Sequence, residues 1–183
     1  MVRIDRVVTR GGDGGDTSLG DGARVRKDAA RVAAMGAVDE ANAAIGVLRA
    51  TGLAEPADAM LARMQNDLFD LGADLCVPGE GGDRLRLTDG PAARLEGEIA
   101  TMNTALAPLR SFVLPGGTAA AAHAHMARTL VRRAEREVVR LGAIEPVNPA
   151  LVRYLNRASD HLFVLARTLN GTSGDVLWVP GGA

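Results

Sequence analysis

Two stretches of the chain concentrate residue types that bind phosphate. The first, TRGGDGGDTSLGDG (9–22), interleaves Gly11, Gly12, Gly14 and Gly15 with hydroxyls at Thr9, Thr17 and Ser18, and Lys27 follows it. Amides freed by glycine, hydroxyls and an ammonium group make an anion cradle. The second, HAHMARTLVRRAERE (123–137), spaces Arg128, Arg132 and Glu135 at four and three residues, with Arg136 beside that face. Arginine forks fixed by a carboxylate clamp a polyphosphate. The same residues also read as a solvated helix face, and the glycine-rich stretch as a solvated N-terminal arm.

Familiar nucleotide loops do not account for the arm. A Walker A loop needs a Gly-Lys pair, which the chain lacks, and Thr17 stands where a dinucleotide fingerprint needs its third glycine after Gly12 and Gly14. Lys27 is the one lysine among 21 basic residues. It is a compact point charge where every other basic residue is a planar fork. His123 and His125 lie two apart, which on a helix points them about 200° apart and away from a shared metal; His161 stands alone. Asn156 and Asp160 share a helix face, where an asparagine serves as a structural hydrogen bonder or reads a nucleotide edge. Phe112, just before Pro115-Gly116-Gly117, reads as a loop anchor. No Ser-His-Asp order or carboxylate pair stands out.

Composition narrows the field. The chain has 183 residues, 47% hydrophobic, with a formal net charge of −1 and 3% aromatic residues. That balance gives no reason to expect nucleic acid or an anionic membrane as partner. One cysteine, Cys76, excludes an intrachain disulfide and a cysteine-based zinc site. With no apolar run of signal or membrane length, a cytoplasmic location is expected.

The elements that must position these residues are helical. Val32, Met35, Val38, Asn42, Ile45 and Leu48 repeat at three and four before Gly52. A second helix follows Glu55-Pro56 with the stripe Met60, Leu61, Met64, Leu68, Leu71 and Leu75. A third starts at Thr88 or Asp89 as cap, with Leu95, Ile99, Met102 and Leu106 inward. Thr118 caps a fourth that runs to about Leu141, with Met126, Leu130, Val131 and Val138 opposite the arginines, and a fifth spans Pro149 to Asn170. The expectation is an all-α, five-helix antiparallel bundle in one domain over 1–183. Its parts are an irregular glycine-rich arm (1–28), the bundle (29–170) and a tail (171–183). Strand signals are confined to Arg3–Val8, and GEGGD (79–83) reads as a loop.

Four segments in order, TRGGDGGDTSLGDGARVRKD (9–28), GAVDEANAAIG (36–46), FVLPGGTAAAAHAHMARTLVRRAERE (112–137) and YLNRASDHLFVLAR (154–167), resemble the PduO-type ATP:cob(I)alamin adenosyltransferases. The resemblance implies a ferritin-like homotrimer with ATP and the corrinoid bound at subunit interfaces. It implies transfer of the 5′-deoxyadenosyl group of ATP to the cobalt of cob(I)alamin, with Mg²⁺ on the phosphates. By position, Thr9, Arg10, Gly11, Gly12, Thr17, Ser18 and Lys27 would wrap the triphosphate. Arg132, Arg133, Glu135, Arg136 and Asn156 would complete the nucleotide site. Arg128 would pair with Asp39 of a neighbouring subunit, and Phe112 would help displace the lower axial ligand of the corrinoid. Arg132, Lys27 and Phe112 are the residues expected to carry the reaction. A corrinoid reductase and an adenosylcobalamin-dependent mutase are the further partners implied. The same site would also serve a protein that chiefly carries adenosylcobalamin to such a mutase, and an arginine face used only for subunit contact would bind no ATP. Two departures stand out: Gly11 replaces the family's second threonine, and Asp16 brings a carboxylate toward the expected phosphates, which predicts a looser ATP site.

Overall fold

The computed structural model describes residues 8–79 and 84–182. Five helices dominate: α1 (Ala30–Arg49), α2 (Ala57–Cys76), α3 (Gly90–Asn103), α4 (Ala119–Gly142) and α5 (Pro149–Asn170). The expected cap holds at α4, and the structure adds one at α5. Thr118 Oγ1 accepts from the Ala121 amide at 3.1 Å, and Asn148 Oδ1 from the Ala150 amide at 3.0 Å. Asp89 precedes α3 but does not cap it; its carboxylate is taken by Arg153 at 2.7 Å.

α4 packs between α1 and α5, with α2 outside α1 and α3 outside α5. The inward stripes of α1 and α2 follow the expected spacing, with Ile45, Leu48, Leu61, Met64 and Leu71 fully buried, and Leu155 and Leu162 of α5 are fully buried as well. The core face of α4 differs from the expectation. It is Ala121, Ala124, Ala127, Val131, Ala134, Val138 and Leu141, whereas Met126 is exposed and Leu130 only half-buried. A stripe built on alanine lets α1 and α5 approach α4 closely, so small residues occupy the centre of the bundle and larger ones its sides.

Polar ties fix the outer helices. Tyr154 Oη donates to Asp67 Oδ2 at 2.9 Å, and Arg94 of α3 also bonds that carboxylate. Buried Asp74 near the end of α2 accepts from Arg86, from the Leu87 amide and from Asn148. Glu98 meets Arg63 at 2.8 Å and the buried His161 ring at 2.9 Å.

The arm was expected to hold no regular element. It folds instead as a two-stranded antiparallel hairpin, β1 (Asp16–Ser18) with β2 (Arg24–Arg26), in the register Thr17 opposite Val25. The turn explains it: Gly22 sits at φ +88°, and Asp21 Oδ1 accepts from the Ala23 amide. Buried Leu19 and the bond from the Gly20 amide to Cys76 O at 2.9 Å seat the hairpin on the end of α2. Apart from Val8, the expected Arg3–Val8 strand lies outside the described residues, as does the expected 79–83 loop apart from Gly79.

Candidate functional site

The hairpin gathers the arm's candidates. The Lys27 amide donates to Gly15 O at 2.9 Å, which folds the chain end of β2 back over the glycine turn. The Lys27 ammonium then lies against Gly12, with Nζ 2.9 Å from where a Cβ on that residue would stand. Arg24 ties the same loop from the other side, donating to Gly11 O at 2.8 Å and Ser18 Oγ at 3.3 Å. Arg10 adopts φ +59°, a left-handed conformation that is uncommon outside glycine. Thr9, Arg10, Gly11, Ser18 and Lys27 are exposed, and Gly12 and Thr17 half-buried. The half-buried Asp16 opens β1 directly after that turn, its carbonyl 3.3 Å from the same Gly12 Cβ position. The result is a loop of amides and hydroxyls open to solvent, with one ammonium at its edge. Arg24 was not among the residues singled out from sequence, where it is one arginine of an alternating ARVRK run.

On α4, Arg132 and Arg136 are exposed and Glu135 is half-buried. Glu135 Oε1 accepts from Asn156 Nδ2 on α5 at 3.1 Å, and Asn156 Oδ1 accepts from Arg157 at 2.6 Å. The carboxylate and the amide therefore orient each other across the α4–α5 seam, leaving one N–H and one lone pair of Asn156 for a ligand. Arg133 has turned to the other side, pairing with Glu40 of α1 at 2.9 Å.

Arg128 is the most enclosed of the α4 arginines. Burial, then the charge of Arg132, holds its guanidinium below the ordinary arginine range. Its Nε and both ring nitrogens of His125, one turn earlier, have no partner among the described residues. Asp39 lies exposed on α1 and lines an apolar groove of about 350 Å³ between α1 and α2, together with Met35, Asn42, Phe69 and Cys76. Asn42 is buried there with Oδ1 unpartnered, and Phe69 is 72% exposed.

Phe112 is 77% exposed, and its ring meets Trp178 edge to face at 5.9 Å. The tail that carries Trp178 runs antiparallel beside the Phe112 segment. The Trp178 amide donates to Phe112 O and the Leu114 amide to Val176 O, both at 2.8 Å, and Ser111 Oγ donates to Trp178 O. Sequence reasoning left this tail without a role. Its only signal is the apolar run Val176–Val179, which matches the SFVL segment (111–114) in length and character.

No group of three His, Cys, Asp or Glu side chains suited to a metal lies together among the described residues. Among the described residues, no helix is long and apolar enough to cross a membrane.

The family model described as cobalamin adenosyltransferase matches residues 7–169. A cobalamin adenosyltransferase of Cupriavidus metallidurans is 49% identical over 180 residues, covering 96% of this chain and 95% of that protein. A corrinoid adenosyltransferase of Mycobacterium tuberculosis is 46% identical over 187 residues, covering 99% and 96%. Among solved structures, a variant PduO-type ATP:corrinoid adenosyltransferase from Lactobacillus reuteri, complexed with cobalamin and ATP, superposes with a TM-score of 0.90. It is 32% identical, covering 94% of this chain and 99% of that one.

Proposed function

Because the chain belongs to the cobalamin adenosyltransferase family, we propose that it transfers the 5′-deoxyadenosyl group of ATP to the cobalt of cob(I)alamin. The observation that carries this reading is the hairpin that closes Gly11, Gly12, Thr17, Ser18 and Lys27 into one loop. It is built from the residues an ATP triphosphate needs, on a bundle matching that of a corrinoid adenosyltransferase.

The reaction is a displacement at C5′ of ATP. A cobalt–carbon bond forms, the C5′–O bond breaks, and triphosphate leaves with the bonding pair. No proton moves, so the site needs fixed positive charge rather than a base. Lys27 and the arm's amides hold the triphosphate, and Arg132 and Arg136 stabilise the charge that grows on the leaving group. Glu135 and Asn156 set each other for the nucleoside side. Arg133, tied to Glu40, reaches the nucleotide only by leaving that pair, an exposed one whose strength is about 1 kcal/mol or less. The protein supplies orientation, and the reduced cobalt supplies the nucleophile. With no three-ligand cluster among the described residues, Mg²⁺ fits as a companion of the triphosphate, needing one or two carboxylates at most. Asp13 and Asp16 are the arm's carboxylates in reach of that role.

The corrinoid side of the site is Phe112, and we place its completion in a homotrimer. Arg128, enclosed yet with Nε unpartnered, and Asp39, exposed beside an apolar groove, are the complementary pair that a neighbouring copy would bring together. Delivery to an adenosylcobalamin-dependent mutase and supply by a corrinoid reductase in the cytoplasm belong to the same reading. Titration of the protein with ATP tests the nucleotide half: Lys27→Ala weakens binding at least tenfold by the scale of one charged hydrogen bond, roughly 1.5–3 kcal/mol. Equal affinity in the variant contradicts the assignment of the arm.

A further inference from the structure

The strongest unassigned feature lies at the end of α5, where it ties the segments on either side of Phe112 to the tail. Asn170, the last residue of α5, is 2% exposed and binds two separate pieces of chain, the 116–118 turn and the tail. Its Oδ1 accepts from the Thr118 amide at 3.0 Å, at the start of α4. Its Nδ2 donates to Gly116 O at 3.5 Å, in the loop after Phe112, and to Asp175 Oδ1 at 3.4 Å, in the tail. The other oxygen of Asp175 accepts from Arg167 Nε at 2.8 Å. Arg167 Nη2 in turn donates to Ala107 O at 2.8 Å, in the segment that leads to Phe112. The Arg167 and Asp175 side chains are only 10% and 11% exposed.

These bonds form one polar knot that fixes both backbones on which the Phe112–Trp178 contact depends. Ala107 and Gly116 bracket Phe112 in sequence, and Asp175 stands three residues before Trp178. Phe112 itself is exposed, and Trp178 is the aromatic ring it meets, so the tail bears on where that ring sits and the knot holds the tail. Gly117 is part of the design: it sits at φ +99°, and a Cβ there would overlap Asn170 Oδ1.

We propose that Asn170, Arg167 and Asp175 are positioning residues for the adenosyl transfer, holding the 174–178 tail so that Trp178 buttresses Phe112 in its working orientation. The proposal rests on Phe112 being the corrinoid-facing aromatic. An aromatic that displaces an axial ligand acts by volume at one place, and a ring free to swing into solvent loses that effect. Misplacement of this kind lowers turnover rather than nucleotide affinity.

Trp178 is the only tryptophan of the chain, so its emission reports tail docking without a label. The test uses the full-length protein with Asp175→Ala, Asp175→Glu, Trp178→Ala and Phe112→Ala. In Asp175→Ala the emission shifts to the red and becomes more open to acrylamide quenching. The kcat falls roughly 10- to 100-fold with the ATP KM within about twofold, and bound cob(II)alamin loses the spectrum of the form without its lower ligand. Trp178→Ala, altered at a surface position, reproduces the kinetic and spectral losses, and Asp175→Glu recovers part of both. An unchanged emission in Asp175→Ala overturns the knot as the tail's anchor. Shifted emission with native kcat and cob(II)alamin spectrum overturns the positioning role. If Phe112→Ala leaves the cob(II)alamin spectrum native, the reading of Phe112 itself fails, and the proposal with it.

Discussion

The Lys27 ammonium rests against the bare backbone of Gly12, its Nζ 2.9 Å from the point a Cβ would occupy. The relationship gives a reason for both residue types: the glycine makes room, and a compact point charge fits where a planar fork would not. Gly12→Ala therefore pushes the ammonium aside without touching the bundle. The ATP KM rises roughly tenfold, the scale of one charged hydrogen bond, while urea unfolding stays within about 0.5 kcal/mol of native, as for surface changes in general. Lys27→Arg raises the ATP KM as well; steady-state kinetics on both variants check the pair.

Asp16 brings a carboxylate into the chain directly after the glycines that would face phosphate. Asp16→Thr lowers the ATP KM several-fold, since a like charge near the triphosphate is opposed by about 1 kcal/mol or more. An unchanged or raised KM refutes the repulsion and leaves Asp16 as a partner of Mg²⁺.

Tyr154 is fully buried, and its hydroxyl donates to Asp67. Burial, then the Asp67 charge, pushes its pKa well above the ordinary tyrosine value, so it remains a donor throughout the neutral and mildly alkaline range. Tyr154→Phe costs about 1–3 kcal/mol, because a buried carboxylate loses a donor. The loss is the same at pH 6 and pH 9 in urea unfolding.

His125 is buried against Phe163, with Arg128 and Asp175 as the charges that act on it. Desolvation, then Arg128, lowers its pKa below the ordinary 6.5, and Asp175 opposes them. The folded state therefore binds this proton less readily than the unfolded chain does. Its contribution to stability is fully present above pH 6.5 and is lost as the pH falls from there toward the lowered value. In His125→Gln the stability profile is flatter across that window; unfolding curves from pH 7 down to pH 5 make the comparison.

Much of the bundle was legible because helical periodicity is local. The stripes of α1 and α2, the Thr118 cap and the span of α5 all follow from spacing and end signals within one element. What stayed hidden depends on contacts between distant segments. The alanine face of α4 carries a weak hydrophobic signal, so the larger Met126 and Leu130 misdirected the reading of which side is inward. The hairpin of the arm hangs on one aspartate–glycine turn and a seat on α2, and composition alone describes it as irregular. The Val176–Val179 run has no partner until the fold sets it beside Phe112, and Asp89 reads as a cap until Arg153 takes it. The candidate site was legible as residue types, since Lys27, Arg132 and Glu135 stand in dense motifs, whereas Asn156 was placed in it only through the family resemblance. Which of them touch was not, because Glu135 meets Asn156 and Arg133 meets Glu40 only across helix seams.

The central claim is the transfer itself. The protein is incubated without oxygen with ATP, Mg²⁺ and chemically reduced cobalamin, and the absorption spectrum is followed in parallel with triphosphate release. Growth of the adenosylcobalamin spectrum with one triphosphate released per cobalamin converted is the predicted result. A cob(I)alamin spectrum that persists unchanged, with ATP intact, would contradict the account.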